Sequence, residues 1–326
     1  MRNLKTIFTI LIAGAAMLFI SCGKTKVDAN GCYYDIDEAA KTANKKNQDI
    51  MVIVTVEGDD IHSADFMDKV VRNPKFKSEI VSKYAVVCMD FSQKSYEQTV
   101  AAEDAKASVK KAAEEKANLM QKNTKYVTIL NVTDTPIVYL LSKEKYLITG
   151  FFYDDNNRSF EGFMDLLNSK SASVDEMHKM IYQTKIGTAE EKVAAIDALY
   201  DATSPSYKIF LYDLIESIKK LDPSNKTGLA GKYLYETAVI RSDKAMMDGD
   251  MRTAVQSFVD IADEELIPAE KRQQALYTAA YLSSSSELDE LPIIIGYLEK
   301  SIQIAPASEN VPAIQHVIDS FKAKQN

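Results

Sequence analysis

Histidine, cysteine and glycine are all scarce in this chain of 326 residues, which holds three, three and 11 of them. The histidines are His62, His178 and His316, and none has a second histidine nearby to complete a metal-ligand pair. No Walker loop, glycine-rich dinucleotide turn, Gly-x-Ser-x-Gly elbow or His-Glu-x-x-His sequence occurs, so the usual nucleotide, hydrolase and metalloprotease signatures are missing. An excess of positive charge is missing too. With 39 basic against 47 acidic residues and no basic stripe, nucleic acid is not an expected partner, and neither a cofactor nor a metal is expected. What is present is core material: 46% hydrophobic and 26% charged residues, over a length that predicts two domains.

The N-terminus reads as a targeting segment. Arg2 and Lys5 precede an apolar stretch, residues 7–20, that is too short to span a bilayer comfortably. Its end, Leu18-Phe19-Ile20-Ser21-Cys22, resembles the bacterial lipobox, in which a small residue precedes an acylated cysteine; Phe19 departs from the usual leucine. The resemblance implies a signal peptide over residues 1–21, a lipid anchor on Cys22, a polar linker over 22–31, and a place in the cell envelope, facing the periplasm or the surface. An ordinary cleaved signal or a membrane anchor is the plainer alternative. Without Arg2 and Lys5 the balance is 37 basic to 47 acidic residues, a net charge of about −10.

Residues 51–56 form a β-branched run ended by Glu57-Gly58-Asp59-Asp60, which predicts a strand buried on both faces and then a turn. A helix should follow, capped by Ser63 or Asp65, with Phe66, Met67, Val70 and Val71 on its apolar face. Residues 34–47 predict an amphipathic helix before this strand, and residues 84–90 a second apolar strand ending in Asp90. This order of elements resembles the thioredoxin-like fold of exported bacterial proteins. In that family a Cys-x-x-Cys pair opens the helix, where the helix dipole lowers the first thiol's pKa. Here Ile61, His62, Ser63 and Ala64 stand at those positions, and both sulfurs are gone. The resemblance continues at residues 132–141, where Thr135-Pro136 matches the family's cis-proline loop before a strand. A turn at Ser142–Lys145, a strand to Phe151 and a helix over residues 160–167 close the domain, which spans residues 32–169.

Asp59, Asp60, His62, Ser63 and Asp65 crowd the altered turn, but adjacent His62 and Ser63 point different ways at a helix start. The cluster reads as a capping loop with no catalytic residue and no metal site. Cys32 and Cys88 can pair in an oxidising compartment, although Cys88, in an apolar strand, reads more simply as a small core residue. Residues 96–120 are rich in alanine and mixed charge, which predicts a long exposed helix inserted near residues 95–122.

From residue 170 to 326 strand-like runs disappear, and helices punctuated by proline and glycine predict an all-α domain. Residues 244–268 resemble the second half of a tetratricopeptide repeat, with Ala254 and Phe258 at packing spacing and Asp248-Gly249-Asp250 as the hairpin turn. Weaker echoes cover residues 208–223 and 291–306. Their closing prolines, Pro223, Pro268 and Pro306, stand 45 and 38 residues apart, so the stack is irregular. Such hairpin stacks bind peptides or helices in a groove, and Tyr200, Tyr207, Tyr212, Tyr233, Tyr235, Tyr277, Tyr281 and Tyr297 are candidate lining or packing residues. The expected function is a lipid-anchored, redox-inactive binding or scaffold protein with a protein or peptide partner at the helical domain. An accessory role in thiol-disulfide exchange or cytochrome maturation, or a purely structural lipoprotein, are the alternatives.

Overall fold

The computed structural model describes residues 27–153 and 158–325; Cys22 and the targeting segment lie outside the described residues. Helix α1 (Ile36–Lys46) starts where the Asp35 carboxylate accepts hydrogen bonds from the Asp37 and Glu38 amides, and it ends at Asn47 in the left-handed conformation. It buries Ile36, Ala39, Ala40 and Ala43. The chain then enters β1 (Asp49–Thr55), every residue of which after Asp49 is buried. Strand β1 pairs parallel with β2 (Tyr84–Asp90), from Asp49 opposite Tyr84 to Thr55 opposite Asp90. It pairs antiparallel with β3 (Ile137–Leu141), which pairs antiparallel with β4 (Leu147–Phe152) through a turn at Ser142–Lys145. The sheet order is therefore β2-β1-β3-β4. This mixed sheet with helices packed on it resembles a thioredoxin-like fold.

Alternation along β1 distributes its side chains to two cores. Met51 and Ile53 join Phe66, Val70, Phe76, Ile80 and Phe163 on one face. Ile50, Val52 and Val54 join Ile36, Ala39, Ala43 and Leu130 on the other. The first face is covered by α2 (Ile61–Phe66), the wider turns that continue it at Met67–Val71 and Lys77–Val81, and α5 (Phe160–Asn168).

The insertion differs from the single exposed helix expected near residues 95–122. A short α3 (Gln93–Glu97) is capped by Ser92, and a separate α4 (Ala107–Ile129) begins ten residues later and runs past 122. Tertiary contacts explain the extension. Lys122 bridges Asp35 at 2.6 Å and Asp37 at 2.7 Å, the Asn123 side-chain amide donates to the Tyr34 carbonyl at 2.9 Å, and the Tyr126 hydroxyl donates to Asp37 at 2.7 Å. Lys145 reaches the same Asp37 carboxylate at 3.0 Å. The end of α4 is thus clamped to α1, where alanine-rich composition alone indicates a solvated helix.

The second half is helical: α6 (Ser171–Gln183), α7 (Ala189–Ala202), a 3-10 segment (Pro205–Leu211), α8 (Tyr212–Glu216), α9 (Ile218–Leu221), α10 (Ala230–Met247), α11 (Met251–Val259), α12 (Ala269–Ser285), α13 (Leu291–Ile304) and α14 (Val311–Gln325). From α10 onward each helix packs on the next. Gly249 turns with φ +74° and Asp250 caps α11, so Asp248-Gly249-Asp250 is the hairpin turn its sequence predicts. Two expectations are corrected. Residues 208–223 break into three short pieces, and Pro268 opens α12 instead of closing the preceding helix. A helix start has no use for the amide that proline lacks, so Pro268, Pro205 and Pro292 sit at the beginnings of helical segments.

The halves interlock. Val174 packs against one sheet core and Phe210 against the other, while Tyr146 of the β3–β4 turn packs into the core of α6–α10. His178 meets Asp49 at 2.9 Å, and Lys185 meets Glu144 at 2.5 Å.

Burial raises the Asp37 carboxyl, but hydrogen bonds from Lys122, Tyr126 and Lys145 outweigh it and hold the group well below its ordinary 3.8. A folded-state pKa below the unfolded one gives stability that is present above about pH 4 and is lost as pH falls through the folded value. Asp37→Asn should therefore lower the unfolding free energy at pH 7 by about 1 kcal/mol, since the partners are partly solvated. Denaturant melts at several pH values should show the difference from wild type shrinking below pH 4.

Candidate functional site

The altered turn is assembled from the C-terminal ends of β1 and β2. Gly58 takes φ +96°, and the Asp59 and Asp60 amides both donate back to the Val56 carbonyl. Asp60 then caps α2, accepting from the His62 amide at 3.2 Å and the Ser63 amide at 2.7 Å. Burial raises the Asp60 carboxyl, but these amides outweigh it and leave the group below its usual range. The cap is thus Asp60, not Ser63 or Asp65. Ser63 is fully buried inside the first turn, and its Oγ accepts from the Val56 amide at 3.2 Å.

Asp90, at the end of β2, organises the other side of the turn. Its carboxylate accepts from the Glu57 amide at 2.9 Å and from the Ser92 and Ser95 hydroxyls at 2.6 Å each. Asp59 in turn accepts from the Gln93 amide, which fastens α3 to the turn. The residues that build this scaffold were signalled in the sequence only by the terminal aspartate of an apolar strand.

The Thr135–Pro136 bond is cis. Ile137 pairs with Val54, so Pro136 lies at the same end of the sheet as the turn. Tyr153 links the two. Its amide donates to the Pro136 carbonyl at 3.4 Å, its hydroxyl donates to Asp65 at 3.1 Å, and its ring meets Phe66 edge-on at 4.8 Å between centroids. Asp65 also pairs with Lys69, which is the main reason its carboxyl lies below the usual range. His62 Nδ1 lies 2.7 Å from the Arg158 guanidinium. Tyr153 and Arg158 carry no motif that marks them in the sequence; the fold alone brings them to the site.

Among Ile61, His62, Ser63 and Ala64, Ile61 is 78% exposed and Ser63 has no accessible hydroxyl. The geometry therefore supplies neither an activated nucleophile nor a sulfur at the helix start. No group of three or more His, Cys, Asp or Glu that could hold a metal occurs among the described residues. What the site offers is shape: exposed Ile61 and, at the end of β4 opposite Ile137, Phe152, which is 46% exposed.

Cys32 and Cys88 are neighbours within one hydrophobic core. The Tyr33 amide donates to the Val86 carbonyl and the Cys88 amide to the Tyr33 carbonyl, which places residue 33 alongside β2. Cys32 is fully buried and Cys88 half-buried, in the same core, and both are free thiols. The hydrogen bond with Cys32, together with burial, pushes the Cys88 thiol well above its ordinary range, opposite to the shift that activates a catalytic cysteine. The expected tyrosines also separate: Tyr200 and Tyr233 are buried, whereas Tyr277 and Tyr281 are exposed four residues apart on α12.

A domain family described as "Uncharacterised protein C-terminal domain" matches residues 229–326, the α10–α14 unit. An uncharacterised protein of Treponema pallidum (strain Nichols) is 26% identical over 130 residues, which cover 40% of this chain and 43% of that protein. A solved structure titled "DsbH Oxidoreductase" aligns with 46% of this chain and 93% of its own, at a TM-score of 0.32 and 12% identity.

Native protein carrying Cys22→Ser should leave Cys32 and Cys88 nearly unlabelled by an aromatic disulfide reagent at pH 7, and denaturant should expose both to rapid labelling. Fast labelling of the native protein would contradict the inert-thiol geometry.

Proposed function

We propose that this protein is an envelope lipoprotein, tethered through acyl chains on Cys22, that binds another protein and transfers no electrons. In this reading the thioredoxin-like half keeps the family's binding end without its dithiol, and the tetratricopeptide-like stack of hairpins carries a second surface for a partner. The single observation that carries the proposal is the helix-start turn. An exposed Ile61 stands at the reactive position, over a Ser63 whose hydroxyl is committed to the backbone. Exposed Phe152 lies on the same end of the sheet, and exposed Tyr96 on α3 and Val100 just after it stand beside the turn. Apolar side chains gathered at one end of a fold are a common basis for protein contact.

A second reading, an accessory role in thiol-disulfide exchange or cytochrome maturation, draws on the adjacent Cys32 and Cys88. The raised Cys88 thiol weighs against it.

Three measurements separate the readings. Purified protein should not accelerate insulin reduction by dithiothreitol. Cys22→Ser should move the protein from the membrane to the soluble fraction. A photo-crosslinking residue at position 61 should trap one discrete partner on intact membranes, and the same residue at exposed Lys83 should not. Catalysed insulin reduction, or crosslinking that is the same at both positions, would overturn the proposal.

A further inference from the structure

The first described residues lie along the outer edge of β2. Val27 pairs antiparallel with Tyr33, Tyr33 pairs with Val87, and a Cβ at Gly31 would stand 3.1 Å from a Val81 side-chain carbon. Cys22 is only five residues from exposed Val27, a distance of at most about 18 Å in a fully extended chain. A folded body of about 300 residues is about 50 Å across. A protein anchored at Cys22 therefore cannot place its far side against the membrane, and the edge at β2 is what meets the headgroups.

That edge is basic in an acidic chain. Lys77 and Lys83 flank Val81, the residue that Gly31 packs against. The Gln48 side-chain amide donates to the Ser82 carbonyl at 2.7 Å, which brings the end of α1, with Lys45 and Lys46, to the same place. All four lysines are exposed, and none has an ion-pair partner among the described residues. Two acids share the edge: Glu79, which is half-buried, and Asp28, which accepts from the Asn30 and Cys32 amides at 2.8 Å each. The whole chain carries a net charge of −8, so a face with this excess of lysine is the one that an anionic bilayer attracts while it repels the rest.

We propose that this edge is the membrane-facing surface of the protein, with Lys45, Lys46, Lys77 and Lys83 against anionic lipid headgroups. The inference rests on the lipid-anchor reading and adds an orientation to it. Asp49 opposite Tyr84 marks one end of the β1–β2 pair and Thr55 opposite Asp90 the other, so the lysines and the Ile61 turn stand at opposite ends of the sheet. Held this way, the Ile61 turn is left clear of the lipid and open to a partner.

The test couples the chain beginning at Cys22 through that thiol to a maleimide-bearing lipid in vesicles. Its outcome does not depend on whether cells acylate Cys22, which the Cys22→Ser fractionation reads separately. Lysines are then labelled with an amine-reactive reagent and read by peptide mass spectrometry. On vesicles containing phosphatidylglycerol, labelling of Lys45, Lys46, Lys77 and Lys83 should fall about threefold below that on phosphatidylcholine alone, while exposed Lys220 and Lys271 of the helical half are unchanged. Sodium chloride at about 0.5 M should cancel the difference. Lys77→Glu combined with Lys83→Glu should cancel it at Lys45 and Lys46, whereas Lys220→Glu combined with Lys271→Glu, the same change of charge elsewhere, should keep it. Equal labelling on the two lipids, or protection that extends equally to Lys220 and Lys271, would overturn the assignment.

Discussion

Strand β1 has water on neither face, and that constraint shapes the rest of the N-terminal half. A strand so enclosed requires hydrogen-bonded neighbours on both edges and a packed layer above and below it. The edges come from β2 and β3, and the layers from α1 and the end of α4 on one side and from α2, the turns after it and α5 on the other. The alternation of Ile50, Val52 and Val54 with Met51 and Ile53 divides one short run between two cores. Each core then holds a helix start or a loop at a set height above the sheet, and the turn at residues 57–60 inherits its position from this arrangement.

The chemistry of that turn follows from which groups are already engaged. Asp60, Ser63 and Asp90 carry the polar atoms that a reactive centre would need, yet each is occupied with backbone amides or neighbouring hydroxyls. Their work is to close the backbone of a sharp strand-to-helix connection. The thiols that remain lie elsewhere, on the far strand β2 and the segment beside it, where burial and mutual contact favour the protonated form of Cys88. The turn is thereby left with an exposed apolar side chain, Ile61, and no free polar group of its own.

The helical half is attached by small, specific contacts instead of one broad apolar face. Phe210, Tyr146 and Val174 each cross into a core of the other half, and ion pairs such as His178 with Asp49 border the junction. Side chains that cross in both directions resist sliding between the halves. Within the hairpin stack, close approach matters as much as apolar area. A Cβ at Gly231 would stand 2.0 Å from the Leu266 carbonyl oxygen, so only glycine lets α10 meet that loop.

Periodicity and composition were enough to read β1, its turn, the neighbouring helices, the hairpin at Ser142–Lys145 and the change to an all-helical half, because each depends on local propensity and on which faces must be buried. The resemblance to the thioredoxin-like family, apart from these local signals, put Ile61, His62, Ser63 and Ala64 at a helix start and Thr135-Pro136 ahead of a strand; the local signals fell short elsewhere. They misplaced the cap, the roles of several prolines and the length of α4, since Asp60, Pro268 and Tyr126 act through partners or backbone positions that local pattern does not reveal. Only the tertiary structure decided that Cys32 lies beside Cys88 and that Tyr153 ties the Pro136 loop to α2. Each of these depends on residues tens of positions apart meeting in space, and short-range patterning carries no information about that distance.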